Sequence, residues 1–281
     1  MARMAPPVRV VILALSVLVV LAAGAGVADR LPASPSPGMG KESRSTGRDG
    51  RPGELSPSGL ASSSPRGNPA PAGSFSDVPG EPSSAIAHAS DAGGKEVNIT
   101  IDDGPSPVFT RQVLDVLKRY HAEATFCMIG PRAALYPGIV RRVVAEGHRL
   151  CDHSVSHDER MNKKPFAYQR AQILNAQMMI SRAAGGAGID YYRAPGGAFT
   201  PYSRLIAVQH GMRPLGWNVD TKDWERPGTA KIIETAKHEL GLGPTILFHD
   251  GGGDRTQTVA ALQQLLPWLA SHGYTFGFPV R

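Results

Sequence analysis

The stretch Asn98-Ile99-Thr100-Ile101-Asp102-Asp103-Gly104 is a short, largely apolar run that ends in two adjacent carboxylates and a glycine. Neighbouring acids at the end of a strand repel each other, so a fold keeps them together only where positive charge lies close by. Further along comes His153-Ser154-Val155-Ser156-His157, two imidazoles at the spacing of metal ligands. One acid with two histidines makes a three-ligand site with an open position, the arrangement of a catalytic zinc. The second acid is then left to act as a base.

Outward from that stretch, strand and helix patterns alternate. Strands are expected at 97–101, 124–129, 148–152, 191–194, 212–219, 245–248 and 274–278. Helical spacing of apolar residues fills the intervals. One helix starts at a Ser106-Pro107 cap, a second is marked by Ile139, Val140, Val143 and Val144, and the others span 166–184, 202–210, 230–240 and 258–270. Repeated β-then-α means parallel strands with right-handed crossovers. The expected fold class is α/β, a closed or nearly closed (β/α)7-type barrel forming a single catalytic domain, with its chemistry at the C-terminal strand ends.

In such a barrel the chemically able side chains should follow strands, and here they do. Asp102 and Asp103 end the first strand, and His153 and His157 follow the third. Arg193 ends the fourth, Asp220 and Asp223 follow the fifth, and His249 and Asp250 end the sixth. Scattered structural charges would rarely converge on one rim.

The Ser-Val-Ser between the histidines lacks the glutamate of a His-Glu-x-x-His peptidase helix and forms helix poorly, so the pair belongs on a loop. A metal there would polarise a carbonyl and acidify water. Arg193 is suited to hold one of the two carboxylates through a bidentate pair. His249 could protonate a leaving group, oriented by Asp223. Taken singly, each residue has an ordinary alternative: a helix-capping carboxylate, a surface ion pair, a satisfied core histidine.

The N-terminal part has a different composition. Arg3 and Arg9 precede an apolar run from Val10 to about Val27, with small residues at its end. Residues 1–28 therefore read as a signal peptide or, uncleaved, as a membrane anchor. Residues 29–95 are rich in Pro, Ser, Gly and Ala without a helix or strand period, and read as a disordered spacer. Residues 96–281 remain for a folded domain with a real core. The net charge of +6 is spread without a basic run, which argues against a nucleic-acid partner. In an exported chain Cys127 and Cys151 are a candidate disulfide, the alternative being two buried thiols.

Together these residues resemble the polysaccharide deacetylase family, the NodB-homology domain of carbohydrate esterase family 4, over about Val97 to Phe278. Thr100-Ile101-Asp102-Asp103-Gly104 is similar to its first motif and His153-Ser154-Val155-Ser156-His157 to its second. Arg193-Ala194-Pro195-Gly196-Gly197 resembles the third, Asp223-Trp224 the fourth and Leu247-Phe248-His249 the fifth. The resemblance implies Asp102 as catalytic base, with Asp103, His153 and His157 as metal ligands. It implies that Arg193 holds Asp102 and that His249 is the general acid, oriented by Asp223. It also implies that the Gly196 N–H faces the oxyanion and that Trp224 and Leu247 line a pocket for the acetyl methyl.

Family members hydrolyse N-acetyl, sometimes O-acetyl, groups on glycans, with Zn2+ the usual metal, ions such as Co2+ possible, and a distorted (β/α)7-type barrel as the fold that the resemblance implies. The expected protein is a secreted or cell-wall-associated monomer acting on an acetylated polysaccharide, peptidoglycan or chitin-like. It would meet the membrane only through residues 10–28, if that segment is uncleaved. An O-acetyl esterase of xylan type and a glycan-binding module with an inactive site are the alternatives. Two departures stand out. Ile101 replaces the usual aromatic, and Gly196 stands where the family often has Tyr or Phe, so an aromatic face for gripping sugar is absent there.

Overall fold

The computed structural model describes residues 82–281. The expected signal segment, and the spacer up to residue 81, lie outside these residues. Among the described residues no helix is long and apolar enough to cross a membrane.

The strand that carries the opening stretch, β1 (Glu96–Asp102), lies inside the sheet. Alternate residues divide its two faces. Val97, Ile99 and Ile101 join the main apolar core, whereas Asn98 and Thr100 bond across to β7 (Thr245–His249). The Asn98 amide donates to Thr245 Oγ1 at 2.9 Å, and the Thr100 hydroxyl donates to the Ile246 carbonyl at 2.8 Å. Beyond β1 on the other side lie β2 (Ala124–Met128), β3 (Arg149–Asp152), β4 (Tyr191–Tyr192) and β5 (Arg213–Pro214). β6 (Val219–Asp220) flanks β7, and β8 (Thr275–Phe276) pairs with the start of β1. Every pairing is parallel. The result is an α/β fold, a half-barrel of parallel strands wrapped by helices.

The helices are α1 (Phe109–Arg119), α2 (Gly130–Leu135), α3 (Pro137–Ala145), α4 (Phe166–Ala183), α5 (Pro201–Gln209), α6 (Thr229–Glu239) and α7 (Thr256–Ser271). Val113, Leu114 and Leu117 of α1 and Leu262, Leu265, Leu266 and Leu269 of α7 share one buried cluster with Ile99, Phe126, Leu150 and Phe248 of the strands. Each fully buried side chain of this kind contributes roughly 1.5–3 kcal/mol before chain entropy is counted.

Three expectations change. The first helix begins at Phe109, not at Pro107. Ser106 still caps, its hydroxyl accepting from the amides of Val108 and Phe109 at 3.3 and 3.2 Å. The second predicted helix is two, because Pro137 opens a new helical turn after Tyr136, where no amide is needed.

The third change matters most. The single strand expected at 212–219 is β5 and β6, on opposite edges of the sheet. Pro214 has no N–H for a ladder, and the chain leaves β4 after the Leu215 amide bonds Tyr192 O. It then crosses to β7, where the Asn218 amide meets Thr245 O. The Gly216 amide, midway, donates to Ala87 O. Ala87 is itself only 2 % exposed, so the folded body begins ahead of Glu96, inside the segment assigned to the spacer.

Cys127 and Cys151 are joined as a disulfide between neighbouring strands, buried with Ala87, Tyr191 and Leu215. The bridge closes a separation of 24 residues. Replacing both cysteines by alanine is expected to lower stability by about 3 kcal/mol, from the restored freedom of the unfolded chain. Urea denaturation of the two proteins checks this. Coincident transitions would show that the bridge contributes nothing.

Candidate active site

Register brings the rim residues together. Across β1 and β7, Asp102 stands beside His249, and across β2 and β3, Met128 stands beside Asp152, immediately before His153. The strand ends deliver Asp102, Asp103, His153, Arg193, Asp223 and His249 within a few residues of the sheet edge, as the sequence pattern required.

Asp103, His153 and His157 each offer a ligating atom, all within 4.8 Å of one another. Asp103 Oδ1 lies 3.2 Å from His157 Nε2 and 3.6 Å from His153 Nε2. That oxygen is shielded from solvent and has no hydrogen-bond partner among the described residues. His153 Nδ1 lies 2.8 Å from the Arg193 carbonyl. A carbonyl can only accept, so Nδ1 carries the proton and Nε2 keeps its lone pair for a metal. Burial pushes the His153 imidazolium down, against the pull of Asp102 and Asp103, which favours the neutral, ligating form. Burial would raise Asp103, yet the fields of His153, His157, His249 and Arg255 outweigh it and hold this carboxyl below its usual range. The donor set therefore fits a divalent ion. Asp103 and His157 also sit at φ 73° and 51°, left-handed conformations that cost a non-glycine residue about 1–3 kcal/mol and gather at functional sites.

Asp102 is 2 % exposed and bonded to Arg193, whose Nη1 is 2.6 Å from Asp102 Oδ1. The pair is single, not the bidentate fork expected. The other guanidinium donors are taken up by the crossing segment: Nε donates to Leu215 O at 3.2 Å and Nη2 to Gly216 O at 2.8 Å. Nη1 also reaches Thr100 Oγ1 at 3.0 Å. Arg193 thus holds the base candidate and the segment that joins the two edges of the half-barrel at once.

On the far wall His249 Nδ1 lies 2.8 Å from Asp223 Oδ1. The carboxylate accepts, so Nδ1 donates and Nε2 is left for substrate. Asp223 Oδ2 also accepts from the His249 amide at 2.9 Å and the Thr258 hydroxyl at 2.7 Å. Burial alone would lower the His249 pKa, but the hydrogen bond to Asp223 and its charge, with Asp102 and Asp103 adding, raise it.

Asp102, Asp103, His153, His157 and His249 line one cavity of about 550 Å3, together with Gly196, Trp224 and Leu247, while Arg193 and Asp223 support it from behind the lining. Gly196 has φ 57°, a conformation glycine adopts without strain. Gly251 lets the loop after β7 close onto the site, since a Cβ there would overlap the Asp103 carbonyl. Asp250, expected at the rim, is buried beneath it. Its Oδ2 accepts from Thr110 Oγ1 at 2.6 Å, and burial, with Asp103 and Asp102 adding, pushes its pKa up to about 7.

The sequence reading missed Glu159, Trp217, Lys222 and Arg255, all of which line the cavity. Arg255 Nε donates to Gly251 O at 2.6 Å, and its charge reaches Asp103. It follows the same strand as His249, six positions further along, in a loop whose sequence does not show which way a side chain turns.

Fold and rim together are those of an α/β enzyme whose ionisable groups gather at the C-terminal ends of parallel strands. The family model described as polysaccharide deacetylase matches residues 89–215. A chitooligosaccharide deacetylase of Sinorhizobium fredii is 36 % identical over 66 % of this chain and 90 % of its own length. A peptidoglycan-N-acetylglucosamine deacetylase of Bacillus cereus is 37 % identical over 65 % of this chain and 85 % of its own. Among solved structures, a peptidoglycan N-acetylglucosamine deacetylase superposes with a TM-score of 0.65 at 31 % identity, covering 69 % of this chain and 90 % of that one. The chain belongs to the polysaccharide deacetylase family.

Proposed function

We propose that this chain is an exported, zinc-dependent enzyme that hydrolyses N-acetyl groups on a glycan of N-acetylglucosamine, peptidoglycan or chitin-like, and releases acetate. One observation carries the reading. The Asp103, His153 and His157 cluster shares a single cavity with a carboxylate held by arginine and a histidine held by aspartate. The relatives named as chitooligosaccharide and peptidoglycan deacetylases support the substrate class.

Asp103, His153 and His157 would hold a divalent ion, which would supply the positive charge that polarises a carbonyl and acidifies water. Asp102 takes the proton of the attacking water, while Arg193 keeps its carboxylate aimed and charged. The Gly196 N–H steadies the oxyanion, at a typical worth of a few kcal/mol per donor. His249 Nε2 gives its proton to the departing nitrogen, and Asp223 stabilises the imidazolium until then. Trp224 and Leu247 wall the space for the acetyl methyl. Water and amide become acetate and amine.

The deciding experiment is acetate release by the full chain from N-acetylglucosamine oligomers, metal-stripped and then restored with Zn2+ or Co2+. Release only after restoration is expected. Release unaffected by stripping would end the metal-dependent reading, and release only from O-acetylated xylan would replace N-deacetylation with ester hydrolysis.

The sign of the pH dependence follows from His249. An acid must be protonated to act, so its raised pKa keeps the enzyme active to higher pH, and activity falls as pH rises through that value. Asp223→Asn removes the largest raising influence. The basic limb of kcat/KM against pH is expected to move to lower pH in this variant. A limb that stays in place would remove His249 from the acid role.

A further inference from the structure

Gly196 and Glu159 meet in the cavity wall. A Cβ at Gly196 would lie 3.3 Å from both Cβ and Cγ of Glu159 and 3.7 Å from its Cδ. The stem of Glu159 therefore crowds the position of a side chain at 196, and its carboxylate carbon lies in contact range of that position. The other charges lining the cavity are matched. Asp102 has Arg193, Asp220 has Lys222 at 2.6 Å, and Asp103 faces the two imidazoles of the candidate metal site. Arg255 is spent on the carbonyls of Gly251 and Trp224 at 2.6 and 3.3 Å. Glu159 is exposed and makes no hydrogen bond or ion pair among the described residues. It follows His157 by two positions, so their Cα atoms are at most about 7 Å apart. Glu159 lines the same cavity as the cluster, so its carboxylate is placed to meet a sugar flanking the reacting one.

We propose that Glu159 is a specificity-determining residue that selects a glycan whose neighbouring sugar carries a free ammonium group, and disfavours one with a carboxylate there. This rests on the N-deacetylase reading. The attraction is that of an exposed ion pair, modest and screened by salt. Lys222 and Arg255, both following strands on the β6–β7 side, leave the Glu159 side as the place for a cation. The reaction itself makes this group, because removing an N-acetyl leaves an amine that is protonated near neutral pH. One turnover therefore improves the glycan for the next.

The test uses the full chain and two tetramers of N-acetylglucosamine, one fully acetylated and one with a single free amine. The ratio of kcat/KM for the amine-bearing over the acetylated tetramer is read at low and high salt. Glu159→Gln is expected to lower this ratio about two- to five-fold at low salt. Glu159→Lys should lower it further, and added salt should erode the wild-type ratio. A ratio unchanged in both variants overturns the proposal. Calorimetric binding of the same tetramers to the metal-stripped full chain gives a second reading without turnover. The amine-bearing tetramer should lose affinity relative to the acetylated one in Glu159→Gln, and equal relative affinities in wild type and variant overturn the proposal. Failure of the N-deacetylase reading shows separately, as absent acetate release by the wild type from the acetylated tetramer.

Discussion

Asp102→Asn is expected to lower kcat by about 10²- to 10⁴-fold, the usual contribution of a positioned general base, while zinc still binds. Asparagine keeps the shape of the side chain and can accept the Arg193 Nη1 hydrogen bond that now measures 2.6 Å. It cannot take a proton from water. The three ligating atoms belong to other residues, so the metal site should survive. Asp103→Ala is the contrasting change, because it removes the Oδ1 atom that faces both imidazoles. It should lose zinc and activity together. Zinc affinity from competition with a coloured chelator, beside kcat at saturating oligomer, separates the two. An active Asp102→Asn protein would discard the assigned base, and one that lost zinc would move Asp102 among the ligands.

Arg193→Met should destabilise the fold by about 3–5 kcal/mol, the cost of leaving a buried carboxylate without its partner. On a domain of this size that is on the order of 10 °C in Tm. The side chain is fully buried and bonds Asp102, Thr100, Leu215 and Gly216. Its loss frees the segment that joins the two edges of the half-barrel as well as the base. Arg193→Lys should recover little, since one ammonium cannot span a carboxylate and two carbonyls on separate segments. Urea unfolding of the three proteins checks the size. A loss under about 1 kcal/mol in Arg193→Met would mean that water or a rearranged backbone replaces the guanidinium.

The site was legible because parallel β/α units place the ends of all strands on one rim. A residue just after a strand in sequence is then near the cluster in space, whichever strand it follows. Asp103, His153 and His157 follow two different strands and still meet within 4.8 Å. Periodicity also located β1, β2, β3 and β7 to within a residue or two, because each is long enough to show its pattern. It failed at 212–219, where two two-residue strands are too short to carry a period. Glu159 and Arg255 escaped for another reason. Both lie in loops after the rim, and nothing local marks which way a loop side chain turns.

The sequence by itself determined the alternation of strand and helix, the rim on which the ionisable groups gather, and the family. These depend on local period and on motifs a few residues long, which a linear chain displays. Only the tertiary structure decided that Arg193 makes a single bond to Asp102 and spends its other donors on Leu215 and Gly216. It alone placed the two ends of 213–220 on opposite sheet edges, sank Asp250 beneath the rim, and set Glu159 over Gly196. Each of these is a contact between segments far apart in sequence or turned by a loop. Its geometry follows from how the sheet curves and closes, and no local pattern encodes that.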